Sequence, residues 1–548
     1  MKKAIFLLLT ALLLAGCSSN TVAEVTVTET QPAAAITAPQ YISRFASVTE
    51  ITLSDSGITV NGGDETNTVF LSNDIVCYED KDFYPSGNPY GEGTDSDKHT
   101  AEEAAAHTVI NITAPGAYRL SGALSAGQIR IDLGEDAYSD PNAVVELILA
   151  DTDITCTVAP AILFLNTYEC DGSWDTATAQ PTVDTTAAGA NLILEGENTV
   201  TGSHVARIYR DTEEEKKLWK QDAAVYSYTS MNVFGPSSLD ITADNEGLDT
   251  ELHLTINGGD ITIRSGNDGI NTNEDGVSVT TINGGNLLIT AGLGAEGDGI
   301  DSNGYLVINS GTVIASANPA ADAGMDSDLG SYIHGGTVIA LGSTMDWAES
   351  DSNQVTMNLQ FSQPQTGVIT LTDEGDSTIF TFDPAEIFGE YARQYTGAIL
   401  SSPALTQGNT YRLYADGVQM QYTGTDVRRM PGGMGFGGGM GNMVGQRPEG
   451  DFESMTPPEG FTGERPTMPE GQRPELPEGE TFPADFDPGR FGGRGGEKGE
   501  NMTGEHPELP NGFDPTNHPQ TGSAADPNTR FYMQDKVNAF SGITPIPQ

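Results

Sequence analysis

Through most of the chain, apolar and polar residues alternate in short runs with the two-residue period of strands. Ile51-Thr52-Leu53, Gly57-Ile58-Thr59-Val60, Thr108-Val109-Ile110-Asn111-Ile112, Gln128-Ile129-Arg130-Ile131, Ala161-Ile162-Leu163-Phe164 and Asn191-Leu192-Ile193-Leu194 are such runs, and Gly, Asp or Asn separates them. From 257 to 343 the pattern acquires a longer period. One phrase recurs as Ile256-Asn257-Gly258-Gly259, Ile282-Asn283-Gly284-Gly285, Ile308-Asn309-Ser310-Gly311 and Ile333-His334-Gly335-Gly336. Its last glycines stand at 259, 285, 311 and 336, so the steps are 26, 26 and 25 residues. Between the copies runs a second phrase: Glu246-Gly247-Leu248-Asp249-Thr250, Asp268-Gly269-Ile270-Asn271-Thr272, Asp298-Gly299-Ile300-Asp301-Ser302 and Ala323-Gly324-Met325-Asp326-Ser327. A fixed period in the twenties predicts a solenoid, whose units bury their apolar faces against their neighbours. A crossover helix does not fit in such spacing, so the strands stack as a parallel β-helix.

The alternation also predicts which way side chains face. Ile261/Ile263, Leu287/Ile289, Val313/Ala315 and Val338/Ala340 form one apolar column, while Asp260/Thr262, Asn286/Leu288, Thr312/Ile314 and Thr337/Ile339 form a mixed opposite face. In the second phrase Leu248, Ile270, Ile300 and Met325 point inward, and Asp249, Asn271, Asp301 and Asp326 point outward. Ala223-Ala224-Val225-Tyr226-Ser227 reads as a degenerate earlier copy of that phrase.

Other stretches depart from the repeat. Residues 80–106 read as a surface insertion, and 210–221, with Glu and Lys at helical spacing, as a small helical excursion. After Ser343 the strands at 355–359, 367–371, 378–382 and 410–414 predict a small antiparallel module. From Met430 the text is rich in Gly, Pro, Met and Glu, and disorder is expected, with a less biased stretch at 528–543 that reads as a short docking segment. The expected layout is a signal and lipidated cysteine at 1–17, a flexible tether at 18–45, the β-helix at 46–345, the β module at 346–425 and the tail at 426–548.

Composition narrows the function. The 548-residue chain carries a formal charge of −52 and a pI near 4.1, which excludes nucleic acid as a partner and favours cations. Lys2, Lys3 and the apolar run 4–15 form an export signal too short to span a bilayer as a mature helix. Leu14-Ala15-Gly16-Cys17 resembles a bacterial lipobox, which implies cleavage before Cys17 and lipid on its sulfur; the alternative is an ordinary secretory signal. Either way the mature chain is exported, and the lipid would hold it to the extracytoplasmic face of a membrane. Cys77, Cys156 and Cys170 remain, expected as buried thiols or with one optional Cys156–Cys170 disulfide.

Stacked strands lie about 4.8 Å apart, so an unscreened column of carboxylates repels itself, and a hard cation relieves the repulsion. Calcium takes six to eight oxygens in flexible geometry. The candidate ligands are Glu246, Asp249, Asp268, Asn271, Asp298, Asp301, Asp326 and Asp328. The competing explanation is that Asp, Asn and Gly serve tight turns, and that stacked Asn side chains stabilise solenoids without metal. Catalytic patterns are poor. The histidines are scattered, and Asp298/Asp301 is the one carboxylate pair worth naming for a glycosidase. Between Gln221 and Leu400 the only Lys or Arg residues are Arg264 and Arg393, a bad composition for a lyase that needs a strong base. Tyr226, Tyr305, Tyr332 and Trp347 are the aromatic candidates for contact with sugar, with core packing as the alternative.

The stretches Ile51-Thr-Leu-Ser-Asp-Ser-Gly-Ile-Thr-Val60, Gly116-Ala-Tyr-Arg-Leu-Ser-Gly122 and Ala223-Ala-Val-Tyr-Ser227, the Gly-Gly coils and the Asp-Gly-Ile-Asp turns together resemble the calcium-containing bacterial carbohydrate-binding domain family, over roughly residues 46–425. The resemblance implies an all-β, right-handed parallel β-helix that binds calcium and plant cell-wall polysaccharide, acidic pectic chains or cellulose, without catalysis. The insertion near 80–106, the excursion at 210–221 and Ala323 in place of an acid depart from it. A monomer is expected. The alternatives are a lyase or glycoside hydrolase on the same scaffold, and a structural or adhesive surface protein that meets a protein partner through its tail.

Overall fold

The computed structural model describes residues 41–77, 99–173, 175–209, 218–343, 346–425 and 528–547. The signal, the lipobox with Cys17 and most of the tether and tail lie outside the described residues. The protein is all-β. Three parallel ladders run through it, and each rung contributes one strand to each ladder. In one rung these are Glu246–Thr250, Leu254–Ile256 and Asp260–Ser265; in the next, Ile270–Thr272, Val279–Ile282 and Asn286–Thr290. The first ladder is a nine-stranded sheet from Val69–Ser72 to Asp326–Ser327. The other two join a 24-stranded sheet that also takes in the C-terminal module.

The repeat sets this register. Ile261 stands beside Leu287, Leu287 beside Val313 and Val313 beside Val338, and all four belong to one continuous apolar core. The corner glycines make the stacking possible. Gly285 has φ +93°, and a Cβ there would lie 2.6 Å from the Gly259 carbonyl of the rung below. Ile263 is fully buried in mid-stack. Ile263→Ala is expected to cost about 2–5 kcal/mol in chemical denaturation, because neighbouring rungs on both sides hold the cavity open.

The mixed outer face of the third ladder is explained by what covers it. Along Thr262, Leu288, Ile314 and Ile339 the column changes from polar to apolar, and Ile314 and Ile339 are buried under the C-terminal module. That module does not end at 425. Phe531–Tyr532 and Val537–Pro545 return to it, and Val537–Pro545 pairs in parallel with Thr356–Gln365. Phe531, Met533, Phe540 and Ile543 are buried in its core, so the docking stretch near 528–543 is part of the module. Arg393 fastens the module to the rungs, donating to the carbonyls of Gly292 at 2.8 Å, Ala291 at 2.5 Å and Ser316 at 3.0 Å.

Several local expectations change. The segment 210–221 is no helix where it is described: Leu218–Gln221 pairs antiparallel with Val205–Tyr209, and 210–217 lies outside the described residues. Helical charge pairs are worth only about 0.2–0.5 kcal/mol each, too little to outweigh strand pairing. Within the insertion Ala101–Ala105 forms a short helix closed by a Thr100/Glu103 capping box, while 78–98 lies outside the described residues. The last residues assigned to the tether are packed: Ser43 Oγ and the Arg44 amide donate to the Glu146 carboxylate at 2.5 and 2.8 Å. Cys156 and Cys170 are free thiols, and burial pushes Cys156 up to about 11 and Cys170 up to about 12.

Candidate functional site

The acidic phrase builds a site on the outside of the first ladder. Its glycine packs against the core with no room for a side chain: a Cβ on Gly247 would meet Ile263 Cγ2 at 2.3 Å and the Gly269 carbonyl at 2.6 Å. Leu248 lies in the core, while Glu246 and Asp249 come together outside it. Asp222, just before the strand Ala223–Ser227 of the previous rung, joins them, because Ala223 is in register with Glu246 and Tyr226 with Asp249. Ligand oxygens of Asp222, Glu246 and Asp249 lie within 4.8 Å of one another.

These carboxylates are outside the apolar core but not in solvent. Asp222 is 5%, Glu246 4% and Asp249 0% exposed. This corrects the expectation of a solvent-facing column. Tyr226 packs beside Asp249, and Lys220, at the end of the antiparallel pair, places its ammonium 3.0 Å from Asp222. Asn273 donates to both Asp249 oxygens at 3.0 and 2.9 Å, and Asn271 donates to Glu246 Oε1 at 3.3 Å. Glu246 Oε2 and Asn271 Oδ1, both buried, have no hydrogen-bond partner. A buried acceptor without a donor is costly, and a charged one more so.

Burial holds the Glu246 carboxyl well above the ordinary range, and the charges of Asp249 and Asp222 push it further. Asp249 is raised by burial and then by Glu251 and Asp222. The Asp222 carboxylate, aided by Glu246 and Asp249, holds Lys220 protonated above its usual range. Three carboxylates and an amide oxygen form a hard-oxygen set suited to a divalent cation, and the orphaned oxygens show what the protein alone does not satisfy.

The remaining predicted ligands continue the column. Asn271, Asp301 and Asp326 follow Asp249 in register. Asp268 accepts the Asp298 amide at 2.6 Å, and Asp298 accepts the Ala323 amide at 2.5 Å, so each carboxylate also ties its rung to the next. Burial raises Asp268, Asp298 and Asp326 above the ordinary range. Among the described residues, the group of three within metal-ligand reach is Asp222, Glu246 and Asp249. Asp328 is half-buried and follows the strand Asp326–Ser327, outside the column. Two members of the site were missed in the sequence. Asp222 directly precedes the degenerate copy of the phrase, and Lys220 lies two residues before Asp222, at the end of the charged run.

Tyr226 is not a sugar platform. It is fully buried, its ring contacts Tyr228 at 5.2 Å and its hydroxyl donates to Glu251. Tyr305 and Tyr332 are half-buried on the outer face of the second ladder, 6.1 Å apart between ring centroids, and Tyr332 is 6.1 Å from His334. Trp347 is half-buried between Asp346, which accepts from Ser331 Oγ at 3.3 Å, and Ala348, which bridges to Ser331, so it lies next to the strand that carries Tyr332.

A family profile matches residues 106–379, half of the chain, and the chain belongs to the family of carbohydrate-binding domain-containing proteins. A comparison with curated proteins gives no match. Among solved structures the chain is similar to the polysaccharide lyase-like protein from C. thermocellum, determined as a gadolinium derivative, at 20% identity over 53% of this chain and 93% of that one, with a TM-score of 0.30.

Proposed function

We propose that this carbohydrate-binding protein is a right-handed parallel β-helix that binds acidic polysaccharide through calcium, without catalysis, at the cell surface. Its lipid anchor in this reading is Cys17. The observation that carries the proposal is the unpartnered Glu246 Oε2 inside a buried group of three carboxylates. Asp222, Glu246, Asp249 and Asn271 would hold the ion. Bound calcium supplies positive charge that an acidic glycan can share, which an acidic protein surface otherwise repels. The chain's own contribution is to fix these oxygens on stacked rungs and to keep water from them.

The non-catalytic part rests on Lys220. Among the described residues it is the cation beside the acidic group, and its ammonium is engaged by Asp222 at 3.0 Å rather than free to take a proton. Purified protein is expected to release no unsaturated product from polygalacturonate, read at the absorbance of the new double bond; release at an enzymatic rate overturns this part.

The calcium part is tested by retention on immobilised polygalacturonate. Retention is expected in millimolar calcium and elution on adding a chelator, with recovery when calcium is restored. Binding that survives the chelator would sink the bridging role.

A further inference from the structure

The C-terminal strand sits in the module as an inserted piece. Val537–Pro545 lies between two strands, Thr356–Gln365 in parallel on one side and Val418–Gln421 antiparallel on the other. Just before it, Phe531–Tyr532 pairs with Thr410–Ala415. Phe531, Met533, Phe540 and Ile543 are each no more than 2% exposed. Phe531, Phe540 and Tyr422 form an aromatic cluster with ring centroids 4.9 to 5.0 Å apart. The Thr356 amide donates to the Lys536 carbonyl at 2.7 Å, and the Gly408 amide to the Met533 carbonyl at 2.8 Å. Taken away, this segment would leave an apolar slot with an open strand edge on each side. The covalent path into the slot is long, 102 residues from 426 to 527, yet its two ends leave the module side by side. The Tyr422 amide donates to the Asn528 carbonyl at 2.9 Å, and Gly424 and Ser541 exchange backbone bonds at 3.2 and 2.9 Å.

We infer that this slot is a strand-acceptor site for a second copy of the chain: two copies exchange their C-terminal strands and close as a reciprocal dimer. Everything that seats the strand lies in 528–547 and in the slot, and nothing in those contacts marks which copy the strand comes from. The mode is strand complementation, in which main-chain pairing supplies affinity and the buried side chains supply register. The chain's own strand has one advantage over a neighbour's, its effective concentration, and that advantage falls as the connector lengthens. A few residues would join 425 to 528 directly. A connector of 102 residues, at about 3.3 Å each when extended, spans roughly 340 Å and reaches a neighbouring copy with ease. Reciprocal exchange gives each body the same contacts it had alone and closes with two copies, so the dimer forms without any new interface. The inference is independent of the calcium and glycan readings.

The test uses two preparations of the full chain, one with heavy isotopes and one without, each carrying an engineered protease site within 426–527. Mixed in denaturant and refolded together at about 100 μM, they are expected to yield a dimer by light scattering, whereas dilute refolding yields the monomer. The connector is then cut and the dimer fraction read by native mass spectrometry. The dimer is expected to fall to particles of one body each, every body still holding a C-terminal piece. About half of the bodies are expected to hold the piece of the other isotope, as random pairing requires. Samples refolded separately and mixed afterwards are expected to keep their own. In a second variant, about eight Gly and Ser residues replace 427–526, which leaves the slot and the strand intact but ties them closely. It is expected to melt as the parent does and to lose the dimer. The inference is overturned if no dimer forms, if the dimer's bodies hold only their own isotope, if the C-terminal piece leaves the body on cutting, or if the short-connector variant dimerises as the parent does.

Discussion

Glu246→Gln is expected to abolish calcium-dependent retention and, at the same time, to raise the melting temperature of the calcium-free protein. The two effects have opposite sign because one carboxylate does two things. With calcium present it is a ligand, and its loss removes a charged oxygen from the smallest group able to hold the ion; a fall in calcium affinity of about a hundredfold or more is expected. Without calcium it is a buried acid beside Asp222 and Asp249, with one oxygen unpartnered. The amide has the same shape, carries no charge and can donate to the neighbouring carboxylates. Removing that repulsion is expected to stabilise the calcium-free state by something on the order of 1 kcal/mol. Differential scanning fluorimetry with chelator and with calcium reads both effects. A lower calcium-free melting temperature together with an unchanged calcium shift would refute the assignment.

The second large effect is on pH. Glu246, Asp249, Asp268 and Asp298 are all raised above the ordinary carboxylate range, each first by burial and then by neighbouring acids. Asp346, half-buried against Ser327, is pushed up to about 6 and adds to the same trend. A carboxyl raised in the folded state contributes stability that is fully present below its unfolded value, about 4, and is lost as pH rises through the folded value. The calcium-free protein is therefore expected to lose stability between mildly acidic and neutral pH. Asp74 and Asp171 act oppositely. Both are lowered, Asp171 chiefly by the His253 imidazole 3.5 Å away and Asp74 by Ser72 and Arg130 against the cost of burial. Their contribution is lost only as pH falls below about 4, which places the calcium-free optimum just above that. Calcium takes the deprotonated acids, so its stabilising shift should grow with pH. Melting temperatures from pH 4 to 8, with and without calcium, are expected to diverge as pH rises; parallel curves would count against a buried acidic calcium site.

Much of this was legible in the sequence, and the failures share a cause. The period of 26, 26 and 25 residues predicted that Ile261, Leu287, Val313 and Val338 would be neighbours, and they are. Alternation also predicted that Asp249 and Asn271 lie on the opposite side from Leu248 and Ile270. Periodicity tells which side of a strand a residue takes and not what comes to cover that side. Asp249 is buried because Tyr226 and neighbouring polar side chains close over it; Ile314 is buried on an outer face because the C-terminal module sits there. The charged run near 210–221 misled for a related reason. Its spacing reports a weak local preference, whereas Leu218–Gln221 is placed by its pairing with Val205–Tyr209.

The two ends of the stack carry a consequence of their own. A parallel ladder ends in a row of unpaired amides and carbonyls, which is a growing tip for another copy of the same chain. Three of the tips are occupied by strands that run the wrong way for growth. Gly57–Val60 pairs antiparallel with Val48–Ser54, Val69–Ser72 with Thr108–Ile112, and Tyr395–Ser401 with Thr337–Gly342. A strand of reversed polarity cannot propagate the parallel register, so it acts on the stack as a chain terminator acts on a polymer. The rungs set how the fold elongates, and these three strands stop it at the tips they cover.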